Sequence, residues 1–207
     1  MTRRPSTSRK PGAAPPGRVR IVAGKWRGRF LPVPDVEELR PTPERVRETL
    51  FNWLAPRIEG SRCLDLFAGT GVLGLEALSR GAADAILVER NRQASDALRK
   101  SIEKFGASSA RLVAGDALDF LRNADPLPMD IVFLDPPFAE TSAATVIDLL
   151  GSRGWLGTHA SIYFEQDAAK PLPELPAGFT VRREKKAGNV RYLLADAERP
   201  PPEDRAP

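Results

Sequence analysis

Asp135-Pro136-Pro137-Phe138 closes an apolar run, Ile131-Val132-Phe133-Leu134, that reads as a buried strand. Two consecutive prolines stop the ladder and stiffen the corner. A carboxylate, a backbone carbonyl and an aromatic ring then stand together. That set suits a flat, amine-bearing base: Asp135 and Pro136 as acceptors for the amine hydrogens, Phe138 as a face to stack on. The plain alternative is a Pro-Pro turn that Asp135 merely closes. Upstream, Asp65-Leu66-Phe67-Ala68-Gly69-Thr70-Gly71-Val72-Leu73-Gly74 is a second chemical feature. Residues 63–67 read as a strand, and 72–80 as a helix ending at Gly81. Glycines there let backbone approach a ligand, and the helix start offers unbonded N–H groups. Gly69-x-Gly71-x-x-Gly74 fits the dinucleotide fingerprint, with NAD, FAD or S-adenosyl-L-methionine as possible ligands. Asp65 favours the last. Its carboxylate can order the loop and face the cationic methionine end, but would repel a pyrophosphate. A ligand-free strand–helix turn is the alternative.

Two further acids stand where a nucleoside would need them. Glu89 ends the strand 85–88, where a carboxylate can accept both ribose hydroxyls. Asp116 follows the strand 111–114 and could accept from an adenine amine; for either, a helix cap or surface acid is the alternative. Phe67, Thr70, Arg90 and Ala117 adjoin these positions and complete the candidate cofactor set. Asp65, Glu89, Asp116 and Asp135 each end an apolar strand of an alternating β/α pattern. Ligands of open α/β sheets bind beyond the carboxyl ends of the strands, so the four acids point to one cleft.

The elements that must position them are legible in outline. Strands are expected at 62–67, 85–89, 110–114, 130–135 and 160–165, with helices at 72–80, 92–105, 117–123 and 140–151. Residues 179–183 and 190–194 form a terminal antiparallel hairpin. The fold is therefore α/β: a seven-stranded, doubly wound, Rossmann-like sheet with that hairpin, plus an N-terminal basic β-hairpin. Thr42 reads as the N-cap and Pro43 as the first residue of a helix whose apolar face is Val46, Leu50, Phe51 and Leu54. Residues 1–17 and 198–207 read as disordered tails, 18–56 as an N-terminal extension, and 57–197 as the catalytic domain.

Composition narrows the function. The chain has 207 residues, one cysteine and one histidine, which excludes a disulfide framework and argues against a metal site or a histidine-based triad. No apolar run is long enough to span a membrane, and no secretory signal is present, so a cytoplasmic protein is expected. Residues 1–30 carry nine basic side chains and no acid, while the remainder is net −5 (22 basic, 27 acidic). A basic arm on an acidic body is suited to a polyanion, nucleic acid above all. Arg18, Arg20, Lys25, Arg27 and Arg29 interleave with Trp26 and Phe30, offering phosphate contacts and a stacking platform. Arg40, Arg45 and Arg47 extend the candidate RNA-binding set, with solvated helix charges as the alternative for the last two.

These motifs, with residues 20–29, Arg40-Pro41-Thr42 and residues 45–54, resemble the RsmD family of 16S rRNA (guanine(966)-N(2))-methyltransferases, within the class I S-adenosyl-L-methionine-dependent enzymes. The similarity runs over about residues 18–195. It implies methyl transfer from S-adenosyl-L-methionine to the exocyclic amine of a guanine in small-subunit ribosomal RNA. The expected partner is that RNA within a ribonucleoprotein particle, and the expected enzyme is a monomer without metal. Other readings stay open. The tetrapeptide also suits an adenine or cytosine amino methyltransferase, the glycines alone suit an NAD-dependent oxidoreductase, and the basic arm alone suits a non-catalytic RNA-binding module.

Overall fold

The computed structural model describes residues 17–36, 39, 41–136, 143–172, 175 and 178–198. A short antiparallel hairpin comes first, β1 (Arg18–Arg20) and β2 (Phe30–Pro32), joined through a 3₁₀ turn at Gly24–Trp26. Helix α1 (Glu44–Leu54) leads into the alternating core: β3 (Arg62–Asp65), α2 (Val72–Ser79), β4 (Asp84–Glu89), α3 (Arg92–Phe105), β5 (Ala110–Ala114), α4 (Ala117–Asn123), β6 (Met129–Leu134), α5 (Ala143–Ser152) and β7 (Leu156–Asp167). The chain finishes with β8 (Phe179–Ala187) and β9 (Val190–Glu198). The seven-stranded sheet runs β5-β4-β3-β6-β7-β9-β8. Its first five strands are parallel, and β9 is inserted antiparallel between β7 and β8. The expected sheet and terminal hairpin are both present.

Strand order explains the functional edge. β3 is central, and the chain first winds outward through β4 and β5, then crosses back to β6. That reversal opens a crevice at the carboxyl ends of β3 and β6, where open α/β sheets take their ligands. Apolar clusters cover both faces. One joins Cys63, Leu87, Phe133 and Tyr163 to α1, α2, α3 and the N-terminal hairpin. The other joins Leu64, Val88, Val132 and Ile162 to α4 and α5. Burial pushes the Cys63 thiol up to about 12, so it behaves as an inert core residue.

The N-terminal hairpin is fastened to this core. Val19, Ile21, Trp26 and Leu31 are buried in the first cluster. Gly24 (φ +77°) lies against α2 so closely that a Cβ would stand 1.7 Å from the Ser79 carbonyl oxygen. Glu76, fully buried in α2, accepts from the Val22 and Ala23 N–H groups at 2.7 and 2.9 Å and from Arg80 Nε at 2.8 Å. It also pairs with Arg47 Nη1 at 3.6 Å.

Three expectations change here. Arg47 does not face solvent: it is 1% exposed, donating to the Thr42 and Arg20 carbonyls at 3.1 and 2.9 Å. It is a structural cation, not an RNA contact. Its burial lowers its pKa, an effect that Glu76 opposes. Trp26 is 5% exposed and packs on Phe105 at 5.4 Å between centroids, so no base can stack on it. Thr42 makes no capping bond; Pro43 occupies the cap position, and the buried Thr42 side chain turns towards the carboxyl edge of the sheet. Arg40, Pro137, Phe138 and both tails lie outside the described residues.

Candidate active site

Register places the acids. Asp65 pairs with Leu87 of β4 and Phe133 of β6, and Phe133 pairs with Tyr163 of β7. Side chains alternate along strands, so Glu89, Asp65, Asp135 and Glu165, each two residues from or level with these positions, share the α1 face of the sheet. Four carboxyls thus stand at or near the carboxyl ends of four adjacent strands. Asp116 joins them from the head of α4, where the Gly115 N–H donates to the Glu89 carbonyl at 3.0 Å.

The glycine turn is built around two of these acids. Glu89 accepts from the Gly69 N–H at 2.7 Å through Oε2 and from the Asn91 N–H at 2.6 Å through Oε1. Asp65 accepts from the Gly74 N–H at 3.1 Å. Gly71 (φ +75°) takes a left-handed conformation, and a Cβ there would stand 2.3 Å from Leu98 Cδ1. At Gly74 a Cβ would fall 2.8 Å from Leu87 Cδ2, so helix and strand meet at contact distance. Thr70 is buried in the turn and Ala117 at the head of α4, while Phe67 is half-buried and Arg90 exposed. Leu39, from the connection between the hairpin and α1, reaches within 3.7 Å of where a Gly69 Cβ would stand. The N-terminal extension therefore passes over the glycine turn.

Asp116 is both a helix cap and a candidate ligand acceptor. Its Oδ1 caps α4, accepting from the Leu118 and Asp119 N–H groups at 2.8 and 3.1 Å. The cap fixes the side chain at the cleft edge and leaves Oδ2 for a ligand.

Burial perturbs the carboxyls at this edge. Desolvation raises the Asp65 carboxyl to about 7, against the pull of its Gly74 hydrogen bond and with a further push from Glu89. Burial likewise raises Asp135, with Glu165 and Asp65 adding to the shift and a hydrogen bond from Thr42 opposing it. Glu165 is raised by burial too, against hydrogen bonds from Tyr163 and Thr42. The Tyr163 hydroxyl donates to Glu165 Oε1 at 2.7 Å. Asp135, Glu165, Thr42 and Tyr163 therefore form one hydrogen-bonded unit beyond the end of β6. Glu165 and Thr42 were absent from the sequence-derived site. Glu165 carries the same signal as the other acids, an apolar strand ending in a carboxylate.

S-adenosyl-L-methionine fits these residues. Left-handed Gly69 and Gly71 make the strand–helix turn tight, Glu89 and Asp116 keep acceptor capacity at the rim, and buried Asp65 lacks a cationic partner among the described residues. Among those residues no helix is long and apolar enough to cross a membrane, and no cluster suits a metal ion.

Of the predicted polyanion contacts, Arg18, Lys25, Arg27 and Arg45 are exposed. Arg20 is partly engaged by Glu44 at 2.5 Å. Arg29 lies over the Phe105 ring at 4.0 Å and donates to the Lys104 carbonyl at 2.6 Å, which ties the hairpin to the end of α3.

Comparison with known proteins agrees with this construction. A family model described as "Conserved hypothetical protein 95" matches residues 19–196. Ribosomal RNA small subunit methyltransferase D of Escherichia coli K12 is 50% identical over 190 residues, covering 92% of this chain and 96% of the relative. The solved structure of the methyltransferase yhhF from Escherichia coli superposes with a TM-score of 0.82 at 49% identity, covering 88% of this chain and 99% of that one. An RNA methyltransferase from Salinibacter ruber, solved with S-adenosyl-L-homocysteine, shares the fold at 17% identity and TM-score 0.59, over 81% of this chain and all of that one. With its glycine turn and Asp135-Pro136 on one crevice of a class I sheet, the chain belongs to the family of "Conserved hypothetical protein 95", the RsmD family of S-adenosyl-L-methionine-dependent methyltransferases.

Proposed function

We propose that the protein methylates the exocyclic N2 amine of one guanine in small-subunit 16S ribosomal RNA, within a ribonucleoprotein particle. The observation that carries this reading is the alignment of Asp65 and Asp135 on one face of adjoining strands, which brings the glycine turn next to the end of β6. The name of the Escherichia coli relative supports ribosomal RNA as the substrate class.

S-adenosyl-L-methionine supplies, when bound, a methyl group on a sulfonium; Asp65, Gly69, Gly71, Glu89 and Asp116 would hold it. The chain's own work lies in presenting the amine. A guanine amine delocalises its lone pair into the ring and is a weak nucleophile. Asp135 and the Pro136 carbonyl would accept its two hydrogens, turning the lone pair out of the ring plane and towards the donor. Phe138 would stack on the extruded base, contributing about 1–3 kcal/mol. Thr42 and Glu165 position Asp135. Proximity and orientation of this kind contribute about 7–11 kcal/mol to catalysis. Either Asp135 or water takes the released proton. Arg18, Lys25, Arg27 and Arg45 would meet phosphates. We read the working unit as a monomer.

Cofactor binding should couple to Asp65. Below pH 7 a cationic donor must displace its proton, so affinity is expected to rise with pH, up to about tenfold per unit, and level off above about 7. Calorimetry in buffers of different ionisation enthalpy should detect the released proton at pH 6, and Asp65→Asn should abolish the release. The same titration acts on folding with the opposite sense. The native carboxyl keeps its proton above the ordinary 3.8, so its contribution to stability is full below that value and lost as pH rises through about 7.

Turnover should also rise with pH, because a protonated Asp135 accepts fewer hydrogen bonds from the amine. Glu165 adds to the upward shift of Asp135, so Glu165→Gln is expected to move this rise to lower pH. A lower rate with an unmoved pH profile would reduce Glu165 to a packing residue. The assignment of the cofactor is checked by titrating the protein with S-adenosyl-L-methionine and with NAD; binding of NAD alone would end the methyltransferase reading.

A further inference from the structure

A continuous groove runs between β2 and α3, away from the candidate active site. Its larger part, about 650 Å³, is lined by Pro32, Pro34, Arg92, Asp96, Ala97 and Lys100, with Gln93. The smaller part, about 210 Å³, is lined by Arg18, Phe30, Pro32, Lys100, Ser101 and Lys104. Pro32 and Lys100 belong to both, so the two depressions join.

The pattern on α3 explains the groove. Gln93, Asp96, Ala97, Lys100 and Lys104 recur at helical spacing and form one stripe along the side facing β2. The opposite stripe of the same helix, with Ala94, Leu98 and Phe105, is buried in the core. Arg29 fixes the far end by donating to the Lys104 carbonyl. The groove floor is short or apolar, and its banks are cationic. Arg18, Arg92, Lys100 and Lys104 are all exposed, and the one acid in the lining, Asp96, is ion-paired with Arg99 at 2.6 Å.

Position gives the groove a direction. Arg92 lies three residues beyond Glu89, at the cofactor end of the sheet, and Lys104 lies at the opposite end of the helix. The twelve steps of helix between them rise about 18 Å, enough for several nucleotides of backbone. Pro34 borders the connection whose Leu39 passes over the glycine turn.

We infer that the β2–α3 groove is a track for the phosphodiester backbone of RNA flanking the target nucleotide, with Arg92, Lys100, Lys104 and Arg18 as its phosphate contacts. The inference rests on the proposed RNA substrate. It adds three α3 cations to the binding surface and replaces Trp26, which is buried, with the groove as the place where the strand lies. Such contacts are sequence-independent and orient the chain so that the base enters the Pro-Pro corner.

The test uses the full-length protein and small-subunit ribosomal particles from cells lacking it. Lys100→Ala with Lys104→Ala keeps a good helix former at both exposed positions. Wild type fixes the reference: if it neither binds nor methylates these particles, the RNA reading itself fails, whatever the variants do. Given a functional wild type, each lost phosphate contact should reduce the slope of log affinity against log salt by about one. The double variant should therefore lose about two from the slope, raise KM for particles, and keep kcat and S-adenosyl-L-methionine affinity. Arg122→Ala with Arg153→Ala removes the same charge from outside the groove and should leave the slope nearly unchanged. An unchanged slope in the Lys100/Lys104 variant, or equal losses in both double variants, would overturn the track.

Discussion

Replacing Asp135 by alanine is expected to lower kcat for methyl transfer by about 10²- to 10⁴-fold, the range that a single proton-accepting group contributes. The cofactor dissociation constant should move much less, because Glu89 and the glycine turn remain tied together without Asp135. Separate measurement of single-turnover transfer and of S-adenosyl-L-methionine binding distinguishes the two effects. Loss of binding in step with loss of transfer would make Asp135 a cofactor residue instead. Turnover at the wild-type rate would remove it from the reaction. Asp135→Asn is a useful companion. It retains one acceptor oxygen but substitutes an amide donor for the other, so it should recover little of the lost rate.

The second large effect is on folding. Glu76→Ala should destabilise the protein by about 3–5 kcal/mol, because it strands a buried guanidinium without its counter-charge. For a chain of this size that corresponds to a Tm lower by roughly 6–20 °C. Arg47 is 1% exposed, and the Val22 and Ala23 N–H groups lose their acceptor in the same substitution. Glu76→Gln keeps one oxygen and should fall between the two. Thermal unfolding measures all three proteins. A Tm within about 2 °C of wild type for Glu76→Ala would show that the hairpin is held by its apolar side chains alone. The same packing means that deleting residues 1–30 would strip Ile21 and Trp26 from the core, so point substitutions are the right test of the cationic surface.

Much of this architecture is legible before any coordinates. The bounds of α3 and α4 follow from apolar spacing, and the structure shows Asn91 and Asp116 capping those helices. The acids at strand ends declare the functional edge, because a charge terminating an apolar run must lie at the sheet's rim. Glu165 obeys that rule as well as Asp65 does, yet its strand reads first as support for the sheet. Arg47 was also within reach of sequence: it stands on the stripe of Leu50, Phe51 and Leu54, at helical spacing, so a buried position follows if a partner exists. That partner, Glu76, lies far away in sequence, on a helix whose every residue is buried. Long-range pairing of this kind has no local signature. Thr42 illustrates the same limit. Thr-Pro before a helix has the chemistry of a cap, and only the tertiary fold supplies the two carboxyls that draw its hydroxyl elsewhere. Trp26 sits among cations that suggest a stacking surface, but an indole buries easily once Gly24 lets the backbone close on α2.

Central to all of this is a single reaction at the crevice between β3 and β6. Tritiated S-adenosyl-L-methionine, purified protein and small-subunit particles from cells lacking it give the most direct test, followed by digestion and mapping of the labelled nucleoside. The expected product is N2-methylguanosine at one position, absent with Asp135→Ala. Label on an adenine or cytosine amine, or none on ribosomal RNA while the cofactor is bound, would contradict it.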